Sequence, residues 1–401
     1  WFAVRITGMP WIWTIGACTG DVIAITPPTV GRKQKGSFDW DRVIRHEYVH
    51  TVTLDQTNNR IPHWYTEACA VSQEPGGRDF NTCKLLADAL EKGKLFTLAD
   101  INWGFIRPKA AYERPLAYAQ AHWMLEYITQ TYGHQANIDM LELYKLGTGN
   151  EQAIRQVTGE EPEAFLSAFK TWARRQVTSW GLGPQPDLDF PDNFSPRHPE
   201  FDALLDAGLA EHPRHPDLLR LAAERALRDE ALEYDARRAA LLRYHAARPV
   251  DPWTQRSLVQ LALQVGRGDD AIGPLSELDR IEQQNGAWAH QLALLHRAAG
   301  ELAQAAHMAE RALHREPYNG TYRELAAAIN LQRGAGDTAL HHMQAMPILE
   351  PDRAVHHVRL AVLYARLDRP QDANTAARAA LQLDPDAPVQ RFLIEGEDER
   401  P

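Results

Sequence analysis

His46-Glu47-Tyr48-Val49-His50 is the stretch from which the rest of this chain is best read. Two histidines four apart on a helix stand about 40° apart around its axis, one turn above each other. Both imidazoles therefore reach a single metal ion. Glu47 projects beside that ion, where its carboxylate can take a proton from an activated water. Ser37, Asp39 and Asp41 offer N-cap oxygens upstream, and Val43, Ile44, Val49, Val52 and Leu54 predict a buried helix. The alternative is a core helix whose histidines bond to backbone.

A catalytic zinc site takes three protein ligands and leaves one position open. One helix face cannot close a tetrahedron, so the third ligand comes from a separate element. Pro62 opens the segment His63-Trp64-Tyr65-Thr66-Glu67-Ala68-Cys69-Ala70-Val71, in which Glu67 lies 17 positions after His50. The small residues Ala68 and Ala70 let this second helix approach the first. Taken alone, Glu67 could equally be an exposed helix carboxylate.

The pattern His-Glu-x-x-His is that of zinc-dependent hydrolases, and its continuation separates two groups. A metzincin needs Gly and His three and six residues after the second histidine; Thr53 and Gln56 stand there. Residues 36 to 76 instead resemble the gluzincin peptidases of the MA-like clan, whose second helix usually reads P-x-W-x-x-E-G-x-A. Pro62, Trp64, Glu67 and Ala70 match, and Ala68 replaces the usual Gly. The resemblance implies one Zn²⁺ per chain held by His46, His50 and Glu67, with Glu47 as the catalytic base and proton donor. It also implies an oxyanion donor from the helical lobe. Tyr118, in Ala117-Tyr118-Ala119-Gln120, is the candidate, with Tyr112, Tyr65, His63 and His122 as alternatives. The competing reading of Tyr118 is a packed phenol bonded to backbone.

The second half carries an internal repeat. Pro317, Pro351 and Pro385 are 34 residues apart, as are Ala271, Ala305, Ala339 and Ala373. Ala293, Ala327 and Ala361 keep the same period, and Pro249 lies 68 before Pro317. Small residues where paired helices touch, with Pro after the second helix, form the tetratricopeptide pattern. Units begin at 218 (degenerate), 252, 286, 320 and 354, about five repeats, with a possible partial one over 188 to 217. Such repeats bury their faces only against neighbours, which predicts an all-α solenoid whose groove binds a protein or peptide. His341, His342, His356 and His357 raise the question of a metal patch, but paired histidines on repeat helices are expected to be exposed. With both halves considered, the chain is similar to bacterial proteins that join a gluzincin-like domain to tetratricopeptide repeats.

Composition changes between the halves. The last lysine is Lys170, all three cysteines (Cys18, Cys69 and Cys83) lie early, and the C-terminal half is rich in Ala, Leu and Arg. Trp180-Gly181-Leu182-Gly183-Pro184-Gln185-Pro186-Asp187 cannot continue a helix. The expected organisation is a peptidase-like domain over 1–181, a linker over 182–199 and the solenoid over 200–401. Within the first domain, Val4 to Ile6, Ile12 to Ile15 and Val22 to Thr26 read as short strands. Leu85 to Leu90, Tyr118 to Tyr132, Ile138 to Leu146 and Pro162 to Val177 have helical spacing, with Gly133 a C-cap. The fold class is thus α+β followed by all-α. By the resemblance, Ile15 to Gly20 could flank a substrate cleft as an edge strand; a plain structural sheet is the alternative.

The formal charge of −10 argues against a nucleic-acid partner, since no basic field offsets the phosphates. The 44% hydrophobic content supports folded cores, and no apolar run reaches membrane-spanning length. Three cysteines leave one unpaired in any single disulfide, and none has CxxC spacing. A signal segment before Trp1 would make the location extracytoplasmic. Ile15-Gly16-Ala17-Cys18 reads better as a strand than as a lipoprotein box. The functional expectation is zinc-dependent peptide-bond hydrolysis, with the repeats recruiting a protein partner or substrate. The alternative is an interaction scaffold with a vestigial peptidase domain. These residues do not identify a substrate.

Overall fold

A computed structural model describes residues 16–18, 22–25, 40–188, 190–191, 194–283 and 285–394. The expected strands at Val4 to Ile6 and Ile12 to Ile15, and the caps Ser37 and Asp39, lie outside these residues. The chain divides into two compact units. One holds the described residues up to Glu282 and the other those from Gln283 onward.

In the first unit, β1 (Gly16–Cys18) pairs antiparallel with β2 (Ile23–Ile25), Ala17 facing Ala24. The sheet of the described residues is therefore minimal, and the unit is overwhelmingly helical. Helix α1 (Trp40–Gln56) carries the histidine pair, and α2 (His63–Ser72) carries Glu67. The chain turns between them through Asn58 and Asn59, both at positive φ, a conformation that Asn tolerates better than most residues. Helices α3 (Phe80–Glu91), α4 (Ile101–Ile106), α5 (Glu113–Tyr132), α6 (His134–Lys145), α7 (Asn150–Thr158) and α8 (Pro162–Ser179) complete the lobe. Gly133 ends α5 as expected, at φ 88°. The short helices α4 and α7 were not evident from the apolar spacing.

The lobe's core is aromatic. Trp64, Tyr65, Trp123, Tyr144, Phe165 and Phe169 are all fully buried. Their polar atoms are partnered where it matters for α2: Trp64 Nε1 donates to Asn150 Oδ1 (3.0 Å), and Tyr65 Oη donates to the Asn137 carbonyl (3.1 Å). These bonds fix the roll of α2 about its axis and hence the direction of Glu67.

One expectation is corrected on α1. Ile44 is exposed, and Val49, Val52 and Leu54 are only half-buried. The buried face runs through Val43, Glu47, His50, Thr53 and Thr57, at helical spacing but largely polar. His50, Thr53 and Thr57 tolerate burial because they bond within α1 and to Thr66 of α2.

The expected linker is also packed. Phe190 and Phe194 join Phe201, Leu205 and Leu218 in a small core beside α9 (Phe201–Glu211) and α10 (Pro216–Arg228). Gly181, at φ 71°, lies so close to Ala247 that a Cβ there would stand 1.9 Å from the Ala247 carbonyl oxygen. Arg248 Nε donates to the Gly181 carbonyl (3.1 Å), and Val250 packs on the aromatic core. For this reason the compact division falls at 282/283 and not within 182–199. Helices α11 (Tyr234–Ala247), α12 (Trp253–Gln264) and α13 (Gly268–Ile281) belong to the first unit.

The second unit is an array of helix pairs: α14 (Gly286–Ala298) with α15 (Leu302–Arg315), α16 (Gly320–Gln332) with α17 (Gly336–Leu349), and α18 (Ala354–Arg366) with α19 (Pro370–Leu383). Equivalent helices begin 34 residues apart, as the prolines and alanines predict. Ala293, Ala305, Ala327, Ala339, Ala361 and Ala373 are buried, and Pro317, Pro351 and Pro385 each lie just beyond a second helix. The histidines differ from expectation. His342 and His356 are buried, with Nε2 against Glu310 (2.8 Å) and Glu350 (2.7 Å) respectively.

Candidate metal centre

The histidine pair and the second-helix glutamate, far apart in sequence, meet in one place. His46 Nε2 and His50 Nε2 are 3.1 Å apart, and Glu67 Oε2 lies 3.2 Å from the first and 3.4 Å from the second. Among the described residues this is the one cluster of His, Cys, Asp or Glu whose ligand atoms all lie within 4.8 Å of one another. Glu67 Oε2 is buried and, despite its closeness to the imidazoles, makes no hydrogen bond of acceptable geometry. A buried carboxylate oxygen left this way is costly unless something binds it.

Each imidazole is held by its outer nitrogen. His46 Nδ1 meets Glu74 Oε1 at 2.7 Å, and Arg42 steadies that carboxylate through Oε2, also at 2.7 Å. An ionised carboxylate only accepts, so Nδ1 carries a proton, and in the neutral ring Nε2 offers its lone pair. For His50 the direction follows from a chain of hydroxyls. Thr53 Oγ1 donates to the Val49 carbonyl (2.9 Å), so it accepts from Thr66 Oγ1 (2.8 Å). Thr66 has then spent its proton and accepts from His50 Nδ1 (2.8 Å). Again Nε2 is left with its lone pair facing inward. Outer-atom restraint of this kind is how metal-binding histidines are oriented.

The electrostatics show how much negative charge gathers here. Burial opposes charge on His46, but the neighbouring carboxylates of Glu67 and Glu74 outweigh it and push its pKa up to about 10. Burial likewise opposes ionisation of Glu67, yet His46, His50 and His63 hold its carboxyl well below the usual carboxylate range. Burial raises the pKa of Glu47 against the pull of the two imidazoles. Three carboxylates, Glu47, Glu67 and Glu74, thus surround two imidazoles. This surplus of negative charge and inward lone pairs fits a divalent cation with nitrogen and oxygen ligands.

Glu47 is buried on α1 beside its two histidines, and β1 runs against it. A Cβ at Gly16 would lie 2.5 Å from Glu47 Oε1, so a side chain at this strand position would make the Glu47 carboxylate or the strand shift. Of the segment expected to flank the cleft, Gly16 thus adjoins the candidate base. Tyr118 stands on α5 with its ring edge-on to Phe105 (4.8 Å). Its hydroxyl makes no hydrogen bond to any described residue. Burial raises its pKa, as do the charges of Glu67, Glu47 and Glu74, against the opposing charge of Arg114. The phenol is therefore within electrostatic reach of the cluster. His122, one turn further along α5, pairs loosely with Glu126 (3.9 Å). Tyr65 is committed to Asn137, and Tyr112 holds Lys94 over its ring (5.2 Å). Sequence reasoning did not find Gly16, Thr53, Thr66 or Glu74. Only the seven-residue distance from Glu67 to Glu74, which returns to the same helical face, could have pointed to the last of these.

With this geometry in hand, the likenesses to known proteins can be placed. Residues 11–175 match the family model described as the Peptidase MA superfamily. No curated protein matches the chain. Among solved structures, YrrB, "a TPR protein with an unusual peptide-binding site", is 14% identical with a TM-score of 0.35, the alignment covering 46% of this chain and 94% of that one. MamA from Desulfovibrio magneticus RS-1 is 14% identical with a TM-score of 0.33, covering 42% and 95%.

Proposed function

We propose that the first unit is a zinc-dependent peptidase. The observation that carries this reading is the convergence of His46 Nε2, His50 Nε2 and the unbonded Glu67 Oε2, with Glu47 beside them. The match to the Peptidase MA superfamily model over residues 11–175 supports it. His46, His50 and Glu67 would hold one zinc ion, which when bound supplies a Lewis acid that acidifies water and polarises a carbonyl. Glu47 takes the proton of the attacking water and returns it to the leaving amine. Tyr118 donates its hydroxyl proton in a hydrogen bond to the oxygen on which negative charge develops. Glu74 and Thr66 hold the two imidazoles in the tautomer that the task needs. We further propose that the 34-residue repeats recruit a protein partner or present a protein substrate, the functional division falling near residues 182–199.

Elemental analysis of purified protein, before and after reconstitution, tests the metal reading. The expected result is one zinc per chain, with Glu67→Ala greatly weakening binding; no zinc and no uptake would sink it. A second reading, an interaction scaffold with an inactive metal site, is favoured by the helical repeats alone. It gains if zinc is bound but a peptide library is left intact.

A further inference from the structure

Glu67 has two oxygens and a metal site needs only one of them. The inner oxygen, Oε2, faces His46 and His50 without a hydrogen bond. The outer oxygen, Oε1, lies 3.0 Å from His63 Nε2, one helical turn earlier on α2. His63 is the first residue of that helix, and its side chain keeps 42% of its surface exposed, against 9% for Glu67. Its ring is stacked on Phe105 (4.9 Å, 18° between planes), and Phe105 is buried and also meets Tyr118. The imidazole is thus clamped flat on a rigid ring with Nε2 aimed at one carboxylate oxygen. It stands outside the cluster of ligand atoms itself.

We infer that His63 is a positioning residue that holds Glu67 as a one-oxygen ligand by occupying Oε1. The inference rests on the metal reading above. A carboxylate with both oxygens unengaged can close on a cation through both. In a site with three protein ligands the second oxygen would then compete for the position that must stay open. Burial makes the alternative worse, because Oε1 without His63 would lose its partner in a place with little access to water. A hydrogen bond from His63 removes that choice and leaves Oε2 as the one inward-facing oxygen of Glu67.

Two substitutions in the full chain separate the hydrogen bond from the ring. His63→Phe keeps a flat ring on Phe105 and removes the donor. His63→Gln keeps a donor at similar reach and removes the ring. Zinc affinity is read by competition with a chromophoric chelator. The visible absorption of the cobalt(II)-substituted protein reports coordination number, four-coordinate cobalt absorbing far more strongly than five- or six-coordinate. The expected result is about 10–100-fold weaker zinc binding and a weakened cobalt band for His63→Phe, with His63→Gln close to wild type in both. His63→Phe matching wild type in both readouts would overturn the inference, as would His63→Gln being as impaired as His63→Phe. Wild-type protein that takes up neither ion overturns this inference together with the metal reading, whereas the other outcomes leave that reading standing.

Discussion

At the scale of single residues the proposed site separates binding from chemistry. His46, His50 and Glu67 present the inward atoms, and Glu47 lies beside them without belonging to the cluster. Glu47→Gln should therefore keep zinc stoichiometry and thermal stability while abolishing hydrolysis, since an amide cannot accept the water's proton. Equal cleavage of a peptide library by wild type and this variant would refute the role. Gly16 gives a second test. An added Cβ would press on Glu47 Oε1, and displacing a reacting group by about 1 Å commonly costs about 10²-fold. Gly16→Ala is expected to lower kcat by roughly 10–100-fold with zinc content unchanged, and unchanged kcat would show that the strand yields. Tyr118→Phe should lower kcat by about 10²-fold or more without altering stability, because the hydroxyl has no bond to any described residue to lose. At this scale the histidine pair was legible because the spacing of four reflects helix geometry. Thr53, Thr66 and Glu74 were not, because nothing local distinguishes a hydroxyl or carboxylate that will bond to a histidine from one that will face water.

At the scale of elements, α1 and the repeat helices obey opposite rules. The buried face of α1 carries Glu47, His50, Thr53 and Thr57; Thr66 of α2 meets His50 and Thr53, Glu67 of α2 faces His50, and Thr57 bonds back to the Thr53 carbonyl. The apolar pattern of the sequence pointed to a different face, so periodicity alone located the helix and misjudged its inner side. The repeat helices instead bury alanines, whose Cβ atoms set how closely the paired helices approach. Ala339 is fully buried within the second unit's core with Ala327 and Ala361. Ala339→Leu should destabilise that unit by about 1–3 kcal/mol through overpacking, read as a lower midpoint in urea denaturation. An unshifted midpoint would mean that the helix pair can spread without cost.

At the scale of the whole chain, the compact division and the change in composition fall in different places. Residues 182–282 pack within the first unit, through Gly181 against Ala247, Arg248 on the Gly181 carbonyl and Val250 on the aromatic core. A fragment ending at Glu282 is therefore expected to keep one zinc and to turn over short peptides while acting poorly on a protein target. A fragment ending at Gly181 should keep the ligand set but melt at a lower temperature. If the two fragments melt together, the packing around Gly181 is dispensable. If the longer one loses zinc, the second unit contributes to the site.

What the sequence determined by itself was whatever has a fixed local period. The i, i+4 histidines and the 34-residue recurrence of Ala and Pro follow from helix geometry, which is the same in every protein, while Glu67 was singled out by the resemblance to the gluzincin second helix. Tertiary structure decided what depends on atoms distant along the chain: which nitrogen of each histidine is free, which oxygen of Glu67 faces inward, and that a Gly/Pro-rich stretch is docked and not loose. Hydrogen-bond direction and close packing are settled by partners tens of residues away, such as Glu74 for His46 and Ala247 for Gly181, and no local pattern encodes them.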